Sequence, residues 1–153
     1  LYSKDQASAI KQAFWTAFGQ YMALQPSSEG LKVNWINYKT GVKHLFFKMQ
    51  ADQRTASVSI EISHPDPGVR ELMFEQFREY KNILQSSLNE DWDWAAETQT
   101  EQYKTISRIS TQLSGHSIFK QEDWPALIRF FKVRIMALDE FWSTAQYGFE
   151  LFK

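Results

Sequence analysis

Residues 55–63 alternate apolar and polar positions without a slip, with Ala56, Val58, Ile60 and Ile62 on one side and Ser57, Ser59, Glu61 and Ser63 on the other. A period of two is that of a strand with one buried face. His64-Pro65-Asp66-Pro67-Gly68 stops it, because two prolines fix φ and withhold donors while glycine permits a sharp change of direction. The period then changes. Val69, Leu72, Met73, Phe77, Tyr80, Leu84 and Leu88 recur at three and four, which predicts one helix over residues 69–88 whose stripe covers the strand.

The same reading extends both ways along the chain. Ser3 followed by Gln6 is a capping-box signature for a first helix, with Ile10, Phe14, Ala17, Phe18 and Tyr21 on its buried stripe. Gln25-Pro26-Ser27-Ser28-Glu29-Gly30 ends that helix. Residues 31–38 alternate imperfectly but carry Val33, Trp35, Ile36 and Tyr38, which predicts a first strand. Lys39-Thr40-Gly41 supplies a turn into a second strand over 42–50, and residues 51–54 return the chain into the strand at 55–63. After Asn89-Glu90-Asp91, residues 92–98 and 103–113 predict two more strands, with 117–120 either a brief sixth strand or a lead-in. Trp124 and Pro125 fit the first turn of a terminal helix. Ile128, Phe131, Ile135, Leu138, Trp142, Ala145 and Phe149 carry its stripe, and Gly148 is a candidate early stop. The expected fold over residues 1–153 is a single α+β domain: a two-layer sandwich in the order α-β-β-β-α-β-β-α. Its mainly antiparallel five-stranded sheet has the helices mostly on one face.

Composition narrows the chemistry more than the fold. A chain of 153 residues, 43% of them hydrophobic, can bury roughly 70% of the surface its unfolded form exposes, so no covalent staple is needed. The absence of cysteine removes disulfides, thiolate metal sites and cysteine nucleophiles together. The apolar runs are short and the start, Leu-Tyr-Ser-Lys-Asp, has no signal pattern; the expectation is a cytoplasmic protein with no membrane segment. Leu1 in place of a start methionine predicts that residues have been removed before it. A net charge of −1 argues against coating nucleic acid through overall charge.

No P-loop, dinucleotide fingerprint, Gly-x-Ser-x-Gly or His-Glu-x-x-His pattern is present. A helix, three strands and a helix is also the layout of restriction-endonuclease-like nucleases, whose third strand carries an acid, a spacer and lysine. Here that strand reads Glu61-Ile62-Ser63, and the strand before it, Lys43 to Lys48, has no acid. The oxygen cage for Mg²⁺ and the lysine for phosphate charge are both missing, so no catalytic residues are assigned. His64 and Asp66, with His44 or His116, offer imidazole and carboxylate ligands, but at no spacing known for a metal motif. Asp66 also suits a helix cap. No metal or cofactor is assigned. Asp91, Asp93, Asp139 and Glu140 read as solvated charges.

Two sets of polar residues stand out. Residues 31–50 hold Lys32, Lys39, Lys43, His44 and Lys48 with no acid, interleaved with Trp35, Tyr38, Phe46 and Phe47. A basic hairpin with aromatics is a candidate nucleic-acid surface, binding weakly and with strong salt dependence; the alternative is a solvated face whose aromatics enter the core. Glu61 and Arg108, if their strands are neighbours, form a cross-strand pair on the face away from the helices, either fixing register or, with His64 and Asp66, lining a ligand site.

Asn34-Trp35-Ile36, the strand at 41–47, Ala56-x-Val58-x-Ile60-Glu61-Ile62, the helix at 74–84, Trp92-Asp93-Trp94, Ser107-Arg108-Ile109 and the Trp124-Pro125 helix, taken in order, resemble one family. It is a bacterial domain of unknown function that occurs as small stand-alone proteins and as a carboxy-terminal module behind restriction-endonuclease-like domains. The resemblance covers nearly the whole chain and implies an α+β domain with a link to nucleic-acid metabolism or defence, and no catalytic residues. The functional expectation is therefore a non-catalytic binding or interaction module. It would use apolar surface of the terminal helix for a homodimer or an unknown protein partner, with nucleic-acid binding by the basic hairpin as the alternative.

Overall fold

The computed structural model describes residues 2–153. Four strands, β1 (Leu45–Ala51), β2 (Thr55–Ile62), β3 (Asp93–Gln99) and β4 (Thr105–Ser114), form one sheet in the order β1-β2-β4-β3, with every neighbouring pair antiparallel. The alternation at 55–63 explains why β2 lies at its centre. Ala56, Val58, Ile60 and Ile62 are all buried on one face, which a single-residue shift in register would move to the other face.

Four helices cover that face: α1 (Lys4–Met22), α2 (Pro67–Glu79), α3 (Lys81–Leu88) and α4 (Trp124–Ala145). The Ser3 and Gln6 capping box starts α1, each side chain bonding the other's backbone N–H. α1 packs on α4 through Phe14 and Phe18, both edge-on to Phe131. α4 spends its apolar stripe inside this chain. Phe131, Ile135, Leu138, Trp142 and Ala145 are buried and Ile128 is half-buried, and the off-stripe Leu127, Phe130 and Phe141 are buried too, leaving Val133 as the large hydrophobic that α4 exposes among the described residues.

The sheet has four strands, not five. Residues 31–38 form a loop, and the sequence holds the reason. Val33 and Trp35 have one parity, Ile36 and Tyr38 the other, so no single strand face could bury all four. Trp35 and Tyr38 are anchored individually instead, and Ile36 stays exposed. Trp35 Nε1 donates to the Gln25 carbonyl at 2.9 Å, and Tyr38 stacks on Phe47 with ring centroids 5.4 Å apart. The strand expected from residue 42 begins at Leu45, because His44 takes a left-handed φ of 64° and the Thr40 hydroxyl gathers the turn by donating to the Val42 and Leu45 carbonyls. Tyr103, at φ 61°, likewise delays β4 to Thr105.

Two helical expectations also change. The helix at 69–88 is two helices, broken at Tyr80 (φ −100°, ψ 14°). The break carries the Tyr80 ring onto Gly148, where an added Cβ would lie 2.8 Å from two ring carbons. Gly148 therefore makes room for a neighbour, and the terminal helix ends before it, passing at Gln146 into 3-10 turns that run to Phe152. Residues 117–120 form no strand; Trp124 Nε1 holds that segment through the Ile118 carbonyl at 2.7 Å. None of the described helices is long and apolar enough to cross a membrane.

Candidate functional site on the open face of the sheet

Opposite the helices, β1, β2 and β4 present Lys48, Ser59, Glu61, Arg108 and Ser110 on a face that no helix covers. The register sets Glu61 directly between Phe46 of β1 and Arg108 of β4. Its carboxylate is nevertheless only 5% exposed. Lys48 Nζ lies 3.3 Å from Oε1, Arg108 Nε 3.5 Å from Oε2, and the Ser59 hydroxyl donates to Oε2 at 3.2 Å. Two cations from the flanking strands thus close over one acid, and their aliphatic stems exclude water from it. Lys48 also rests over the Phe46 ring, 5.3 Å from its centroid. A groove of about 700 Å³ runs over this cluster and around β1 to α1, where Lys11 and Trp15 form its far wall. Asp93 and Glu101 lie on the other rim, so its charge is mixed.

The five basic residues of 32–48 do not lie on one hairpin. Lys32, Lys39 and Lys43 are exposed on the loop before β1, Lys48 belongs to the Glu61 cluster, and His44 sits at the turn with its ring edge-on to His64, centroids 4.9 Å apart. The interleaved aromatics mostly turn inward. Trp35 and Phe47 are buried and Tyr38 is half-buried, leaving Phe46 exposed.

His64 and Asp66 serve the start of α2. The Asp66 carboxylate accepts from the Gly68 and Val69 amides at 2.8 and 3.1 Å, and His64 Nδ1 accepts from the Asp66 amide at 3.0 Å. That acceptor role puts the proton of the neutral ring on Nε2. Arg70, buried below, donates to the His64 carbonyl at 3.0 Å. His64 Nδ1 and Asp66 Oδ1 are engaged at the helix start, while Glu61 and Arg108 pair with each other and Glu61 also with Lys48. Among the described residues no three histidine or acidic side chains gather to hold a metal.

Sequence reasoning misplaced one acid. Asp139 is a buried carboxylate, 5% exposed, in the middle of α4. It accepts from the Tyr38 hydroxyl at 2.5 Å and from the Ser28 amide at 2.7 Å. Burial first, and then the Asp139 carboxylate, push the Tyr38 phenol well above the usual tyrosine range. The missed signal was periodic: Asp139 follows Leu138 and lies one turn from Ile135 and Trp142, on the flank of the buried stripe. A second anchor also escaped notice. Arg134 holds Glu90 with two bonds of 2.9 and 2.8 Å while Trp92 Nε1 donates to the same carboxylate at 2.7 Å, tying α4 to the lead-in of β3.

No curated protein and no solved structure matches this chain. A family model matches residues 10–146, from the second turn of α1 to the first residue after α4, and so spans the whole sheet, the Glu61 cluster and both loop anchors. The chain belongs to the family described as domain of unknown function DUF4268.

Proposed function

We propose that this domain is a non-catalytic interaction module whose recognition surface is the helix-free face of the sheet around Lys48, Glu61 and Arg108. The observation that carries this reading is the preformed ion cluster in a groove of about 700 Å³. Its charged groups are held in place before any partner arrives, which lowers the ordering cost of binding. Mixed charge in the groove suits a polypeptide carrying both signs better than a polyanion. The test is a random-peptide phage selection on the intact domain, followed by titration calorimetry of the enriched peptides against wild type and a Lys48→Ala, Arg108→Ala variant. The expected result is binding that weakens at least about tenfold in the variant, a loss of roughly 1.4 kcal/mol. Peptides that bind both proteins equally would remove this face from consideration.

Nucleic-acid binding is the second reading. It is favoured by Lys32, Lys39 and Lys43, which are exposed on a loop anchored by Trp35 and Tyr38 and have no ion-pair partner among the described residues. A bacterial role in nucleic-acid metabolism or defence, which the resemblance to modules accompanying restriction-endonuclease-like domains implies, would agree with it. Fluorescence polarisation with labelled single- and double-stranded DNA and RNA tests it. Binding that falls steeply with salt and disappears in a Lys39→Glu, Lys43→Glu variant supports it, and no binding at low salt ends it.

A further inference from the structure

We propose that the outer edge of β1 accepts an extended peptide as a fifth strand. The inference rests on the interaction-module reading and names the partner's chemistry. The observation is one of parity. Asp52 N donates to the Thr55 carbonyl and Ser63 N to that of His44, so on the β1 side of this hairpin the even-numbered residues make the ladder bonds. The odd-numbered residues then direct their N–H and C=O away from β2. Leu45, the first of them, is satisfied within the chain: its N–H meets the Val42 carbonyl at 3.3 Å and its C=O accepts from the Thr40 hydroxyl at 2.9 Å. Phe47, Met49 and Ala51 have no such partners among the described residues. Among the described residues no further strand lies beyond β1 in the sheet.

Alternating donors and acceptors along an edge are complementary to one class of molecule, another backbone in extended conformation. The groove supplies the space, since Met49, Gln50 and Ala51 line it together with Lys11 and Trp15 of α1. An added strand would turn alternate side chains toward Trp15 and Met49 on one side and toward Phe46 and Lys48 on the other. Its preferred pattern alternates apolar residues with charged ones of both signs, an acid among them meeting Lys48 while Arg108 keeps Glu61 paired. The α1 wall favours a single segment over the edge of a second copy, whose helix layer would need the same flank.

The experiment uses peptides selected on the intact domain, with amide hydrogen exchange read by NMR. Saturating peptide is expected to slow exchange at Phe47, Met49 and Ala51 by at least about tenfold, while Phe46, Lys48 and Gln50, already in the ladder, change little. Met49→Pro deletes one outward donor and no ladder bond, as edge strands tolerate, and should weaken binding at least tenfold. Exchange in the wild-type protein decides the matter if that variant does not fold. Peptides that need Lys48 and Arg108 but leave those three amides unprotected would overturn strand addition and keep the open-face reading. An absence of any binding peptide would overturn both. A dimer that protects the same amides without peptide would overturn the choice of occupant.

Discussion

Asp139 and Glu61 are both carboxylates with 5% of their surface exposed, and they are buried by different means. Asp139 lies within the helical layer, on α4, held by two neutral donors, the Tyr38 hydroxyl and the Ser28 amide, with no cation on it among the described residues. Glu61 lies on the solvent side of the sheet, enclosed by Lys48 and Arg108. The first is a staple: its donors belong to a loop that makes no ladder bonds, so the carboxylate supplies the attachment that backbone pairing does not. The second is a junction between strands that are already paired on both sides of β2. Removing the staple should cost stability; altering the junction should cost little stability and affect what the surface binds.

That contrast can be broken in order of size. Asp139→Ala strands two donors and frees the loop, and should lower unfolding free energy by about 3 kcal/mol in urea titrations. A loss no larger than that of the Glu61 variant below would refute the staple. Tyr38→Phe removes one of the two bonds, for about 1.5 kcal/mol at neutral pH, and carries a pH signature. The folded phenol is raised above its ordinary value of 10.0, so its contribution is complete below that pH. It is lost above it, where the unfolded chain ionises first. Wild-type stability should therefore fall toward the variant's by up to about 1.4 kcal/mol per pH unit above that value; parallel pH curves would contradict the assignment.

Glu61→Gln should cost only about 1 kcal/mol, because Lys48 and Arg108 are exposed enough to be solvated when freed. Half-molar salt should shrink that penalty by screening the cluster and leave the Asp139 penalty unchanged. Arg108→Met is the smallest, about 0.5 kcal/mol, since Lys48 remains on the acid. If either open-face variant rivals Asp139→Ala, the cluster is structural and its claim as a recognition surface weakens.

Where the hydrophobic period was regular the sequence was legible. β2, its polar face, the capping box of α1 and the proline start of α4 all follow from neighbours within a few positions; that Glu61 meets Arg108 depended on which strands pair. Where the period slipped, at residues 31–38, strand propensity misled, because aromatic content does not distinguish a paired strand from a loop pinned by side chains. The basic hairpin dissolved for the same reason: its lysines were neighbours in sequence and not in one ladder.

The sequence by itself determined the α+β class, the central strand, the order of strands and helical segments after residue 44, and the residue types on the open face. These are local matters of period, capping and turn chemistry. Only the tertiary structure decided that Asp139 is buried, that α4's apolar width is consumed within the chain, that Tyr80 breaks a helix to reach Gly148, and that β1 keeps a free edge. Each depends on partners tens of residues away. Their meeting is fixed by packing and by the satisfaction of buried polar groups, which no window of sequence contains.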